Sequence, residues 1–175
     1  SAGDLGDWRW SGEKSQAPLR TGGFPQCQRL PSLLAASEGQ KFFIGNWEIT
    51  SRVLGSQNSN TFELYELLLG PGSVDYHVHN TSDETITVLE GSIEFMVDGK
   101  KFLHQPGSTA FIPRGLHHGF TNVGAGKARV LLLFSPASRQ NEFFGKVEAL
   151  FQNAKPDLQE LARLHTTPEQ RTWLA

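Results

Sequence analysis

Nothing constrains this chain more than the stretch Gly72–Gly91, GSVDYHVHNTSDETITVLEG, in which two histidines stand one residue apart and a glutamate follows five positions after the second. Side chains alternate with a period of two along a strand, so His77 and His79 point to one face and Val78 to the other. The polar break NTSD precedes a second apolar run that opens at Glu84. A loop there folds the carboxylate back beside the two imidazoles. A fourth donor comes from Gly107–Asn122, GSTAFIPRGLHHGFTN, where Pro113 and Gly115 mark a turn and His118 begins the next short apolar run. Imidazoles combined with one carboxylate suit a single divalent transition metal ion, Fe, Mn, Ni, Cu, Co or Zn, rather than a hard cation that prefers oxygen alone.

The rest of the chain has an all-β rhythm. Strand-like runs follow one another at Lys41–Val53, Phe62–Leu69, Val74–His79, Glu84–Leu89, Ser92–Val97, Lys100–His104, Thr109–Ile112, His117–Asn122 and Lys127–Ser135. Asp98-Gly99 suits a two-residue hairpin, and Pro106-Gly107, Pro113-Arg114-Gly115 and Gly124-Ala125-Gly126 break or reverse the chain. Short antiparallel strands spaced this way predict a jelly-roll β-barrel. In such a barrel His77, His79, Glu84 and His118 face the interior, and Ile86, Val88 and Phe120, of the same parity, are expected to line a dry pocket around the metal.

Both ends differ from this middle. Residues 1–37 are rich in Gly, Pro, Ser and Gln, with Trp8 and Trp10 as isolated aromatics. They read as an arm whose tryptophans dock on a surface, with one helical turn expected within Leu30–Ala36. The barrel is expected over residues 38–137. Beyond it, residues 138–175 should form two or three short helices: Glu142–Phe151 and Leu158–Leu164 have apolar residues at helical spacing, with Asp157 and Glu160 as a cap pair before the second. Thr167-Pro168-Glu169-Gln170 carries a helix-start signal. These helices are expected to pack on the outside of the barrel, with closure of its mouth as the alternative.

Composition narrows the partners. A formal net charge of −2 without a dense basic cluster argues against nucleic acid or an anionic membrane as the main partner and favours a small-molecule substrate. No apolar run approaches the roughly 18 residues a membrane span needs. The single cysteine, Cys27, cannot form an internal disulfide, and the N-terminus lacks a signal pattern, so a cytoplasmic location is expected. His117 should face away from His118 in a structural or supporting role, while His104 and His165 are expected to be solvated. Tyr76, next to His77, should face outward; Tyr65 is the tyrosine expected to donate a hydrogen bond at the site.

The two histidine stretches resemble the cupin superfamily. His77-x-His79, four residues, Glu84, six residues, Gly91 reproduces its first signature, and Gly107, five residues, Pro113-x-Gly115, two residues, His118, three residues, Asn122 its second. One departure lies upstream of His77: the family places five residues after a glycine, whereas Gly72 leaves four and Gly70 six. Small one-barrel cupins with this ligand set look like the quercetin 2,3-dioxygenase-like group and the polyketide-tailoring cupins. The resemblance implies a metal-dependent dioxygenase that uses O2 to cleave a flavonol or related enolic compound of secondary metabolism.

Four protein ligands leave one or two positions open on a five- or six-coordinate ion, enough to bind a substrate's vicinal oxygens. Glu84 is then either a plain ligand or a carboxylate that also swings off to act as general base. Two other classes stay open beside the dioxygenase: a non-redox lyase, isomerase or cyclase, and a binding module without turnover. The arm and an open barrel edge make a homodimer the expected state.

Overall fold

The computed structural model describes residues 31–152, 158–164 and 170–172. Trp8, Trp10, Cys27, Asp157, His165 and the start signal at Thr167–Glu169 lie outside the described residues, as does most of the expected arm.

Ten strands follow the predicted rhythm closely: β1 Lys41–Ile44, β2 Trp47–Val53, β3 Glu63–Leu69, β4 Gly72–His79, β5 Asp83–Glu90, β6 Ile93–Val97, β7 Lys100–His104, β8 Thr109–Ile112, β9 His118–Asn122 and β10 Ala128–Ser135. An eleventh, β11, spans Gln170–Thr172. They form two antiparallel sheets, ordered β1-β2-β3-β10-β5-β8 and β11-β4-β9-β6-β7. Together these sheets make a jelly-roll barrel. The run Lys41–Val53 is two strands rather than one. Gly45, with φ of 60°, allows the tight reversal that pairs Ile44 with Trp47. At Asp98-Gly99 both residues have positive φ, as a two-residue hairpin with the right twist requires, and Val97 pairs with Lys100.

Strict alternation builds the core. In β3 the inward residues Tyr65, Leu67 and Leu69 are buried, in β5 Ile86 and Val88, and in β10 Val130, Leu132 and Phe134. They meet Ile93 and Phe95 of β6 and Phe120 of β9 from the other sheet. Each such side chain contributes about 1.5–3 kcal/mol on leaving water. Shifting any of these strands by one residue would turn its apolar set outward.

Two helices follow the barrel, α1 at Gln140–Phe151 and α2 at Leu158–Leu164. The third expected helix is absent from Gln170 to Thr172, which instead adds a strand to the free edge of β4, with Gln170 opposite His79. The unpaired amides of that edge outweigh the local helix signal. Residues 31–36 form no helix either. Their carbonyls at Ala35 and Ala36, with that of Glu38, accept hydrogen bonds from Arg52, whose guanidinium also pairs with Glu66.

Helix α1 does not pack on the outside of the barrel. Its residues Gln140, Phe143, Phe144, Val147 and Phe151 line the interior cavity, so it closes the barrel's mouth. Phe144 lies against Phe42 and Tyr65, with ring centroids 6.0 and 5.2 Å away. The helix start is held by the buried Glu63, whose Oε2 accepts the N–H of Gln140 at 3.0 Å. A carboxylate suits the positive end of a helix.

Candidate metal centre

His77 and His79 of β4, Glu84 of β5 and His118 of β9 bring one potential ligand atom each to within 4.8 Å of one another. All four predicted ligand positions meet in one place. Alternation along β4 gives the pair from that strand, and their rings stand nearly perpendicular with centroids 4.7 Å apart. The β4–β9 ladder sets His77 directly opposite His118. Pairing of β5 between β10 and β8 turns Glu84 into the same interior, with Phe134 on one side and Ile112 on the other.

The nitrogens that converge are the Nε2 atoms. His77 Nε2 lies 3.1 Å from His79 Nε2, and the Glu84 Oε2 lies 3.2 Å from His79 Nε2 and 2.7 Å from His118 Nε2. Ligands bound at about 2.0–2.1 Å and set at right angles around one ion lie about 3 Å apart. The donor set therefore fits a single transition metal ion in both chemistry and spacing. His118 is oriented by its Nδ1, which donates to the Leu116 carbonyl at 2.9 Å, so Nε2 is the nitrogen that faces Glu84 and that would give its lone pair to a metal ion on losing its proton. His79 Nδ1 is buried with no hydrogen-bond partner among the described residues, and its ring lies edge-on to Phe134 at 5.2 Å.

Electrostatics agree with a negative carboxylate among imidazoles. Complete burial acts to raise the Glu84 pKa, but hydrogen bonds from His118 and His79, and the charges behind them, outweigh it and hold the group well below the usual carboxylate range. For His118 burial acts downward, and the Glu84 hydrogen bond and charge, with the Leu116 contact, raise the net value.

Around this cluster the cavity is almost wholly apolar. Its volume is about 120 Å³, and His77, His79 and Glu84 open onto it beside Phe120, Phe134 and the inner face of α1. Phe120 lines it as expected. Ile86 and Val88 have the expected inward parity and are fully buried, yet they are not among the cavity-lining residues.

The turn before His118 is tied down from two sides. Gly115 N–H donates to the His79 carbonyl at 2.7 Å. Asp83 accepts from the Arg114 backbone N–H at 2.9 Å and from its guanidinium Nε and Nη2, each at 3.0 Å. That fork holds the Asp83 carboxyl down at about 2.

Other singled-out residues lie elsewhere. Tyr65 faces inward but does not line the cavity; its ring packs against Phe144 and Phe134, and its hydroxyl is buried without a hydrogen-bond partner among the described residues. Burial, then the Glu63 charge, pushes that hydroxyl well above the ordinary tyrosine range. Tyr76 faces out, stacking on His117 at 5.8 Å and accepting the Gly99 N–H. His104 is not simply solvated: it lies edge-on to Phe95 at 5.1 Å. Sequence reasoning missed Gln140 and Glu63. For Glu63 the only available signal was a charge between apolar neighbours, Phe62 and Leu64; Gln140 stands in the polar stretch Ser138–Glu142 and carries no such signal.

Comparison with known proteins gives the same frame. Residues 64–134 match the family model described as Cupin domain. Quercetin 2,3-dioxygenase of Bacillus subtilis (strain 168) is 33% identical over 94 residues, which are 53% of this chain and 28% of that protein. The chain thus spans less than a third of that relative's length. The tetracenomycin polyketide synthase protein TcmJ of Streptomyces glaucescens is 29% identical over 124 residues, 70% of this chain and 68% of that one. Among solved structures, the polyketide cyclase RemF from Streptomyces resistomycificus superposes with a TM-score of 0.54 at 23% identity, over 61% of this chain and 80% of that one. Among the described residues no helix is long and apolar enough to cross a membrane.

Proposed function

We propose that this chain, whose residues 64–134 match the Cupin domain model, is a metal-dependent cupin enzyme, a dioxygenase acting on a flavonol-like or other enolic small molecule. The observation that carries this is the convergence of His77, His79, Glu84 and His118 at the end of an apolar cavity. In this reading these four residues hold one divalent transition metal ion. When bound, the ion supplies a Lewis-acidic centre and, if redox-active, a route for electrons to O2.

The chain's own residues do the rest. Glu84 takes the proton of an incoming enolic hydroxyl at its carboxylate oxygen. The phenylalanines of the cavity wall and of α1 exclude water around that oxygen. His118 keeps its donor nitrogen aimed inward through the Leu116 carbonyl. Tyr65 acts as a positioning residue through Phe134, the ring that packs on His79. Residues 38–137 make up the catalytic barrel, with 1–37 as an arm and 138–175 as a closing extension, in a cytoplasmic homodimer of secondary metabolism.

A second reading, a non-redox lyase, isomerase or cyclase in a biosynthetic pathway, draws on the match to the polyketide synthase protein TcmJ, which at 124 residues is longer than the 94 residues matched to the dioxygenase. One experiment separates the two: elemental analysis of the purified protein, paired with oxygen-electrode traces over a panel of flavonols and smaller enols. A stoichiometric redox-active metal with substrate-dependent O2 uptake supports the dioxygenase. Bound metal with conversion under nitrogen supports the second reading, and no metal after reconstitution sinks both in favour of a binding module.

A further inference from the structure

The cavity beside the ligand cluster is small. At about 120 Å³ it is close to the roughly 150 Å³ apolar cavity that accepts a benzene-sized ring, and a three-ring flavonol would extend beyond it, which favours the smaller enolic substrates within the proposed function. Helix α1 supplies five of the cavity's lining residues, among them Phe143 and Val147. Besides the ligand candidates, Gln140 and Trp47 are the described lining residues whose side chains can hydrogen-bond. Gln140 is 1% exposed. Its side-chain amide is oriented by Nε2, which donates to Ser138 Oγ at 3.1 Å, while its backbone N–H donates to Glu63 and anchors the start of the helix. A buried amide held this firmly in an otherwise apolar wall is suited to reading one polar atom of a bound molecule.

We propose that the cavity takes a single planar enolic or catechol-type ring, that Phe143 and Val147 set this size limit, and that Gln140 contacts the polar edge of the ring away from the ligand cluster. This inference rests on the reading that the four converging side chains hold a metal ion.

The test uses Co(II)-loaded full-length protein, with 4-nitrocatechol and quercetin as probes. Binding is read from the probe's absorbance, and metal content by elemental analysis. In the parent protein 4-nitrocatechol is expected to bind at least tenfold more tightly than quercetin. Gln140→Met should weaken 4-nitrocatechol by about tenfold, the weight of one buried hydrogen bond, with Co(II) content unchanged. Ser138→Ala, which removes only the hydroxyl that orients the amide, should weaken it less and supports the same role should Gln140→Met fail to fold. Phe143→Ala should bring quercetin binding up to that of 4-nitrocatechol.

Equal binding of both probes by the parent protein overturns the size limit. Unchanged 4-nitrocatechol binding in Gln140→Met and Ser138→Ala overturns the role of Gln140. Co(II) retained at one equivalent with neither probe bound overturns this inference alone, whereas failure to retain Co(II) brings down the underlying metal-site reading and this inference with it.

Discussion

His77 sits directly across from His118 because β4 carries one residue more than β9 between their two paired positions. Val74 pairs with Phe120 and His77 with His118, so three steps along β4 match two along β9. An odd step along a regular strand would put Val74 and His77 on opposite faces. The bulge restores the parity, and both Val74 and His77 line the cavity. It also falls where the glycine spacing departs from the family signature, so the irregular start of β4 is absorbed before the ligands are reached.

Replacing His79 or His118 by alanine should abolish stoichiometric metal binding while the far-ultraviolet circular dichroism stays that of the parent. Each substitution removes a hydrogen bond from the buried Glu84, at a cost of about 1–3 kcal/mol. Elemental analysis after reconstitution is the check, and full metal content in both variants would remove the site assignment.

Tyr65→Phe removes a buried hydroxyl that has no hydrogen-bond partner among the described residues. Because the ring contacts with Phe134 and Phe144 are kept, Tm should stay level or rise and metal content should not change. A loss of kcat beyond about tenfold with the metal intact would show that the hydroxyl reaches the reacting groups, and thermal melts with steady-state kinetics would reveal it.

The Asp83–Arg114 fork gives a pH signature. Asp83 titrates at about 2 when folded against an ordinary 3.8. Since the folded value is the lower one, the fork's contribution is present above about pH 4 and is lost as pH falls through about 2. Parent and Asp83→Asn should therefore differ in Tm at pH 6 and converge by pH 2. A gap that persists unchanged at pH 2 would mean that Asp83 acts through something other than its charge.

Glu63→Gln keeps the shape at the start of α1 but removes the negative charge facing the N–H groups of Gln140 and Ser138. A cost of about 1–2 kcal/mol is expected, with metal content preserved because none of the four ligand candidates is touched. Urea unfolding with a parallel metal assay tests both halves.

The barrel was readable because strands buried on one face impose alternation, and Glu-x-Ile-x-Val in β5 or Val-x-Leu-x-Phe in β10 have no other use for it. The ligand set was readable because its spacing is dictated by strand parity and turn length, which are local. What escaped has distant causes. Strand-like residues on both sides of Gly45-Asn46 read as one run over Lys41–Val53 and hide the reversal there. The apolar stripe of α1 looks the same whether it covers a sheet or a cavity, and Gln140 precedes the first apolar residue of that stripe. At Gln170 the partner strand, not the local signal, decides the backbone.

That last segment bears on handling the protein. With Gln170–Thr172 in place, the outer edge of β4 beside His77 and His79 is paired. Shortening the chain before Gln170 would leave a row of open amides next to the ligand strand, a template for edge-to-edge association between molecules. A truncated version is thus expected to aggregate, so the intact C-terminal segment is a condition for obtaining clean material.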